Sequence, residues 1–369
     1  MNQLLTNILQ PVQYGKLVFR NKIFMSTMTR LRADTKTFKT TKIMEEYYTQ
    51  RCQAGLIFSE PLTVSLDGLY GVGCPGIWCD RFIDGWQRIT DRIHSNNGVI
   101  FATLSHGGRI SHPLFNGNNP LLAPSEIEDD FSLPVTNNSL NYCQTKEMTE
   151  DDIKYVFESF YQSAIRVKKA GFDGISLHAS SGALVESFIK SSTNKRRDKW
   201  GQMGWLEFPI NILKIFKEIF DKDRISIKFG PVSQFNKIYD SNPIKKYTKL
   251  IEKILDLGIG FIEIKETTND NIYEDFDLNP SEQIPSCIGL FAPMIREKNN
   301  CKLIANFGTK NINDGIYIIN SKIADFVSCG TFYISNPDLP DKLINNQQLI
   351  IPDPNLYYKN SPDGYITYL

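Results

Sequence analysis

Gly171-Phe-Asp-Gly-Ile-Ser-Leu-His-Ala-Ser-Ser-Gly-Ala-Leu-Val-Glu-Ser-Phe188 is the stretch whose reading decides the fold. Gly174 to Leu177 reads as a short buried strand, with His178 at its C-terminal end and a polar, glycine-containing turn after it. A helix-like run follows and leads into Asn194-Lys-Arg-Arg-Asp198. Upstream, Thr149 and Asp152 are spaced as a capping box. Ile153, Val156, Phe157, Phe160, Ala164 and Val167 mark one face of the helix that this box opens. Gly171 stops the helix in the usual C-terminal manner.

The same unit recurs on both sides. Tyr47 to Ala54 leads into Gly55-Leu-Ile-Phe-Ser-Glu60, and Trp86 to His94 into Gly98-Val-Ile-Phe-Ala-Thr-Leu-Ser105. Further apolar runs are Arg224-Ile-Ser-Ile-Lys228, Gly260-Phe-Ile-Glu-Ile-Lys265, Lys302-Leu-Ile-Ala-Asn306 and Ala324-Asp-Phe-Val-Ser-Cys329. Asn21-Lys-Ile-Phe-Met25 completes a set of eight strands. Short, continuously apolar strands alternating with helices specify a parallel sheet covered by helices. Eight units in a chain longer than the roughly 250 residues typical of the fold predict a (β/α)8 TIM barrel. We read residues 1–369 as a single domain, because no Gly/Ser linker divides them. The Asn-, Pro- and Ser-rich segment from about Gly107 to Glu147 is a long insertion after strand 3, placed to act as a lid. A doubly wound open sheet is the structural alternative, and it requires a reversal of strand order.

Hydrophobic residues make up 41% and charged residues 22% of the 369, which describes an ordinary globular protein. Lys+Arg and Asp+Glu are 41 each, so the charge balance points to neither nucleic acid nor an anionic membrane surface. No apolar run has the length of a membrane span, and the N-terminal residues do not resemble a secretory signal. Seven cysteines without a CxxC pair predict a reduced, cytoplasmic protein with no zinc site. Asn137-Asn-Ser139 matches a glycosylation sequon, which we read as chance.

A histidine at the exit of a parallel strand stands where barrel enzymes place catalytic groups. His178 is one of only four histidines, with His94, His106 and His112. Gly71-Val-Gly-Cys-Pro-Gly76 fits the letters GxGxxG, but Pro75 lies inside it and no helix opens after it, so we read a loop. Asn306-Phe-Gly308 and Cys329-Gly330-Thr331 end the last two strands, where barrels bind phosphate through backbone amides. Lys228 ends the fifth strand, and Thr29 follows the first.

With these residues in view, the chain resembles the old yellow enzyme family of flavin-dependent ene-reductases over nearly its whole length. The resemblance rests on Thr27-Met28-Thr29-Arg30-Leu31-Arg32, Arg51 to Ile57, Pro75-Gly-Ile-Trp78 and His106-Gly-Gly-Arg-Ile-Ser-His112. It continues through Ala170-Gly-Phe-Asp-Gly174, His178 and Asn336-Pro-Asp-Leu339. It implies FMN at the C-terminal ends of the strands, reduction of that flavin by NADPH or NADH, and an unsaturated carbonyl compound as substrate. Thr27, Met28 and Thr29 then lie at the flavin, with Thr29 matching a flavin-tuning threonine. His178 matches a carbonyl donor and Tyr358 a substrate-capping tyrosine. Lys228 stands at an arginine position, Thr103 at a flavin-gripping glutamine, and Ser105 at a neighbouring aromatic residue. Gly308, Gly330 and Thr331 lie at the phosphate, with Thr331 replacing an arginine. Ser181 stands where a second carbonyl donor is expected, and Ala183 where a proton-donating tyrosine is expected.

The expected function is therefore FMN-dependent, NAD(P)H-driven reduction of the C=C bond of an unsaturated carbonyl compound, in an altered site and with activity that is reduced or redirected. A non-reductive isomerase on the same flavin scaffold is one alternative, and a non-catalytic flavin- or ligand-binding barrel is another. The expected partner is a small molecule, without nucleic acid or membrane; a homodimer is left open.

Overall fold

The computed structural model describes residues 3–128, 133, 135, 140–201, 203–266, 287–298, 300–307 and 311–368. Eight strands close into a parallel barrel, as the recurring unit predicts. They are β1 (Ile23–Met25), β2 (Ile57–Thr63), β3 (Ile100–Ser105), β4 (Gly174–Ala179), β5 (Ile225–Phe229), β6 (Phe261–Lys265), β7 (Lys302–Asn306) and β8 (Phe326–Cys329). Each strand pairs with the next, and β8 pairs with β1, so no strand order is reversed and the open-sheet alternative is excluded. The covering helices are α1 (Lys42–Gln50), α2 (Ile83–Ser95), α3 (Glu150–Lys169), α4 (Glu207–Ile219), α5 (Pro243–Leu257), α6 (Cys287–Glu297), α7 (Ile312–Asn320) and α8 (Leu339–Ile344).

Local chemistry explains the decisive unit. The Thr149 side chain accepts from the Asp152 amide, and the Asp152 carboxylate accepts from the Thr149 amide, which satisfies two orphan donors at the start of α3. At the far end Gly171 adopts φ +80°, a conformation that glycine enters without steric cost. Gly174 then opens β4. A Cβ there would lie 2.5 Å from both the Phe101 ring and the Arg224 carbonyl oxygen.

That contact belongs to the floor of the barrel. Phe24, Phe58, Phe101, Phe261 and Phe326 point inward from five strands and pack as one cluster with Ile304. Leu17 and Phe19 join them from below, carried by an N-terminal hairpin of Val12–Tyr14 and Leu17–Phe19. Phe24 stacks on Phe326 at 4.5 Å between ring centroids, and Phe19 meets Phe326 edge-on at 5.4 Å. Bulky aromatic residues thus fill the bottom layer and leave the upper layers to polar side chains.

Above the floor the inward residues are polar. Glu263 of β6 lies 3.2 Å from Lys228 of β5 and accepts from Ser26, Ser328 and Asn306. The insertion after β3 carries a two-stranded parallel sheet, Leu121–Ala123 with Thr145–Glu147. Arg196 clamps this sheet to the barrel by donating to the Pro124 and Met148 carbonyls, at 3.0 and 2.7 Å. Asn194 donates to Phe188 and Trp200, so the Asn194-Lys-Arg-Arg-Asp198 run is a structural clasp.

Gly174→Ala is expected to force the Phe101 ring or the Arg224 carbonyl aside and to destabilise the fold by about 1–3 kcal/mol. Thermal or urea denaturation checks this, and an unchanged midpoint would mean that the floor is not close-packed there.

Candidate active site

A cavity of about 530 Å³ opens at the C-terminal ends of the strands. It collects most of the residues singled out from sequence. Thr27, Met28 and Thr29 line it after β1, His178 at the end of β4, Ser181 and Ala183 in the following turn, and Lys228 on β5. Gly330 and Thr331 line it after β8, and Tyr358 reaches it from the C-terminal tail. Ile110, Leu133 and Val135 bring the insertion to its rim, the position expected of a lid.

One expected residue lies outside the cavity lining, and one falls outside the described residues. Thr103 is buried, lies outside the cavity lining and bonds Thr27 Oγ1 at 2.7 Å. Its side chain is shorter than the expected glutamine and supports Thr27, which lines the cavity. Gly308 falls outside the described residues; its neighbour Asn306 lines the cavity and donates to Ser26 and Glu263.

His178 is 8% exposed, and its Nδ1 is buried without a hydrogen-bond partner. Burial, followed by the charges of Lys228 and Lys265, pushes its pKa down to about 3. The imidazole is therefore neutral at physiological pH and serves as a hydrogen-bond donor or acceptor, not as a cation. Glu263 behaves in the opposite sense. Burial alone would lift its carboxyl, but Lys228 and the donors Asn306, Ser328 and Ser26 outweigh burial and hold it below the usual carboxylate range.

The second wall shows what was lost. Ala183 presents only a methyl group before the short helix Leu184–Ile189. Ser181 sits at φ +63°, and its carbonyl accepts from Asn236 Nδ2 at 2.7 Å. Asn236, from the loop after β5, also lines the cavity, and its Oδ1 is buried without a partner. Tyr70 lines the cavity too, but its hydroxyl is committed to the Pro61 carbonyl at 2.8 Å.

Several motif residues are structural. Arg30 donates to the Gly364 carbonyl at 2.7 Å, and Arg32 to Leu356 at 2.8 Å and to Tyr357. Both guanidiniums lie over the Tyr365 ring, which stacks on Tyr47 at 4.0 Å. This clamp holds the tail that places Tyr358 over the cavity. Arg51 donates to the Tyr333 and Ile334 carbonyls, at 2.8 and 2.9 Å. His106 bonds Asp67 at 3.3 Å and accepts from the Gly108 amide at 3.1 Å, which fixes two loops. Asn336 bridges to Ile350 in both directions. Gly71 to Gly76 remains a loop, without a helix.

Sequence reasoning missed Glu263, Lys265, Asn236 and Ser26. The first two left a signal, because Phe261-Ile-Glu-Ile-Lys265 places two charged residues in a strand that should be continuously apolar.

The barrel thus carries a histidine- and lysine-bearing cavity at the C-terminal mouth of its strands. The chain belongs to the NADH:flavin oxidoreductase / NADH oxidase family, whose model matches residues 7–349. It is similar to the flavin oxidoreductase hxnT of Emericella nidulans, with 29% identity over 97% of this chain and 96% of that one. Among solved structures it resembles an old yellow enzyme homologue from Zymomonas mobilis, with 28% identity, TM-score 0.87, and coverage of 98% of this chain and 99% of the other. It also resembles morphinone reductase in complex with tetrahydroNAD, with 26% identity, TM-score 0.85, and coverage of 98% and 97%. At such identities it is a divergent old yellow enzyme family member. No helix among the described residues is long and apolar enough to cross a membrane.

Glu60, behind this site, makes a pH signature. Burial is the largest influence and lifts its carboxyl to about 7, against the Arg30 and Leu31 amides and the charges of Arg30 and Arg32. The folded value stands above the ordinary 4.5, so the folded state holds the proton more tightly. The stability this contributes is complete below about pH 4.5 and is lost as pH rises through about 7. Glu60→Gln should flatten urea midpoints across that window, whereas an unaltered slope would assign the pH dependence to other groups.

Proposed function

We propose that the whole chain acts as one FMN-binding unit that reduces the C=C bond of an unsaturated carbonyl compound with NADPH or NADH. The observation that carries this reading is the neutral His178, with an unpartnered buried nitrogen, one strand from the Lys228–Glu263 pair. The residues present fit a flavin. Lys228, paired with Glu263, supplies an ammonium donor at the cavity base, Thr27 and Thr29 supply hydroxyls, and Asn306 supplies an amide. Gly330 keeps open a surface where a Cβ would come within 2.8 Å of Met28, beside the Thr331 hydroxyl. Thr331 lacks the charge and fork of an arginine, so the phosphate is held by neutral donors. When bound, FMN supplies the hydride chemistry.

The chain's own residues do the rest. His178 donates a hydrogen bond to the substrate carbonyl oxygen and stabilises the negative charge that grows there. Ser181 and Asn236 bound the same wall. The insertion and Tyr358 cover the cavity and limit the entry of water. Burial raises the Tyr358 pKa, which keeps its phenol protonated and able to donate. The methyl group of Ala183 offers no proton, so protonation falls to water or to Tyr358. A non-reductive isomerase is the second reading, favoured by Ala183; it would shift a double bond without net use of NAD(P)H.

The purified protein should be yellow and should bleach with NADPH or NADH; a protein that neither carries nor takes up FMN would end this reading. Stopped-flow measurements on His178→Ala should show a slowed substrate-reducing half-reaction and a nearly unchanged flavin-reducing one. Equal loss in both halves would remove the carbonyl-anchor role. Ala183→Tyr should raise turnover of a simple cyclohexenone in steady state, towards the roughly 10²–10⁴-fold that a positioned acid contributes. No gain, in a wild type that is already fast, would show that protonation does not limit it.

A further inference from the structure

The inward side of β6 changes character layer by layer. Phe261 belongs to the aromatic floor, and Glu263 to the polar layer. Lys265, the next inward residue, lines the cavity. The two lysines of the cavity are not equivalent. Lys228 is neutralised by Glu263 at 3.2 Å. Among the described residues no carboxylate pairs with Lys265, whose ammonium lies 5.4 Å from the centre of the Phe235 ring. The nearby acids have contacts elsewhere, although Glu186 Oε1 makes no hydrogen bond among the described residues. Glu266 accepts from the Cys287 and Ile288 amides at the start of α6, at 3.1 and 3.2 Å. Glu186 accepts from the Gly182 amide at 2.7 Å and faces Lys190 at 3.9 Å.

A half-buried cation without a counter-ion is unfavourable, because water is withdrawn and nothing replaces it. Burial, then Lys228, lowers the Lys265 pKa, with Glu186 and Glu263 opposing. Such a group becomes favourable when a ligand brings the missing negative charge. Its position narrows what the ligand is. Lys265 acts on His178 and lies beside Gly230 and Phe235 of the loop after β5. Gly330 and Thr331 follow β8, two strands from β6 around the barrel, whereas Gly230 and Phe235 follow the adjacent β5. Phe235 is 46% exposed and lines the cavity, an apolar side chain available to a ligand's carbon frame.

We propose that Lys265 anchors a carboxylate on the substrate, so that this site prefers an unsaturated carbonyl compound that also bears an acid group, with Phe235 packed on its frame. The proposal rests on the reductase reading for the carbonyl, and on this geometry alone for the acid. The other source of the same anion chemistry is the FMN phosphate, which the test separates.

The probes are a cyclohexenone carboxylate and the matching carboxamide, titrated calorimetrically into the purified protein at neutral pH. Wild type should bind the carboxylate at least tenfold more tightly than the amide. Lys265→Met should erase that preference and leave amide affinity within about twofold, and Lys265→Arg should retain it. Lys265→Gln provides a second neutral variant if Met does not fold. FMN titration of the same proteins should give equal affinities. A carboxylate preference absent from wild type, or persisting in both neutral variants, overturns the anchor. A loss confined to FMN affinity reassigns Lys265 to the phosphate and also overturns it. Binding requires no turnover, so a protein without flavin whose carboxylate affinity still depends on Lys265 would sink the reductase reading and leave the anchor standing.

Discussion

The buried pair of Glu263 and Lys228 is the constraint on which the site depends. An ion pair at 3.2 Å inside a barrel is costly to desolvate, and it is tolerated only with further hydrogen bonds. Ser26, Ser328 and Asn306 provide them from three other strands, so five of the eight strands converge on one carboxylate. Removing either partner of such a pair would leave an uncompensated charge, at about 3–5 kcal/mol. The aromatic floor makes this arrangement possible. Phe24, Phe58, Phe101, Phe261 and Phe326 close the bottom and exclude water from that side, so the layer above carries polarity without leaking to solvent.

A second clamp sets the roof. Arg30 and Arg32 extend from the end of the first strand to the backbone of the C-terminal tail, and Tyr365 is held between them and Tyr47. Glu60 sits beneath, taking the Arg30 and Leu31 amides. Leu31 adopts φ +58° to bring its amide there, a local strain that the surrounding contacts must hold. Tyr358 reaches the cavity because of this clamp. Residues more than 300 positions apart thus form one wall, and the carbonyl groups that fix them carry no side-chain identity.

These two clamps divide the frame of the barrel from the lining of its cavity. The arginines, His106 and Asn336 satisfy buried backbone groups, and replacing them would orphan several at once. Ala183, Ser181 and Thr331 border open cavity, where a shorter side chain leaves nothing unsatisfied. The chemistry can therefore diverge while the frame persists. Lys265 places a charge at the cavity where no carboxylate among the described residues pairs with it.

The sequence by itself determined the barrel. The capping box at Thr149 and Asp152, the left-handed Gly171 and the eight short apolar strands are local patterns, and each is set by hydrogen bonds or burial within a few residues of itself. It also placed His178, Lys228 and Thr331 at strand ends, because the exit of a parallel strand is legible from where the apolar run stops. What it did not carry is what meets what across the barrel. Thr103 bonds Thr27 and lies outside the cavity lining, Lys228 pairs with Glu263, and Lys265 has no carboxylate partner among the described residues. Those relations join residues from different strands at the same height in a closed sheet. Register and closure decide them, and both arise only when all eight strands assemble.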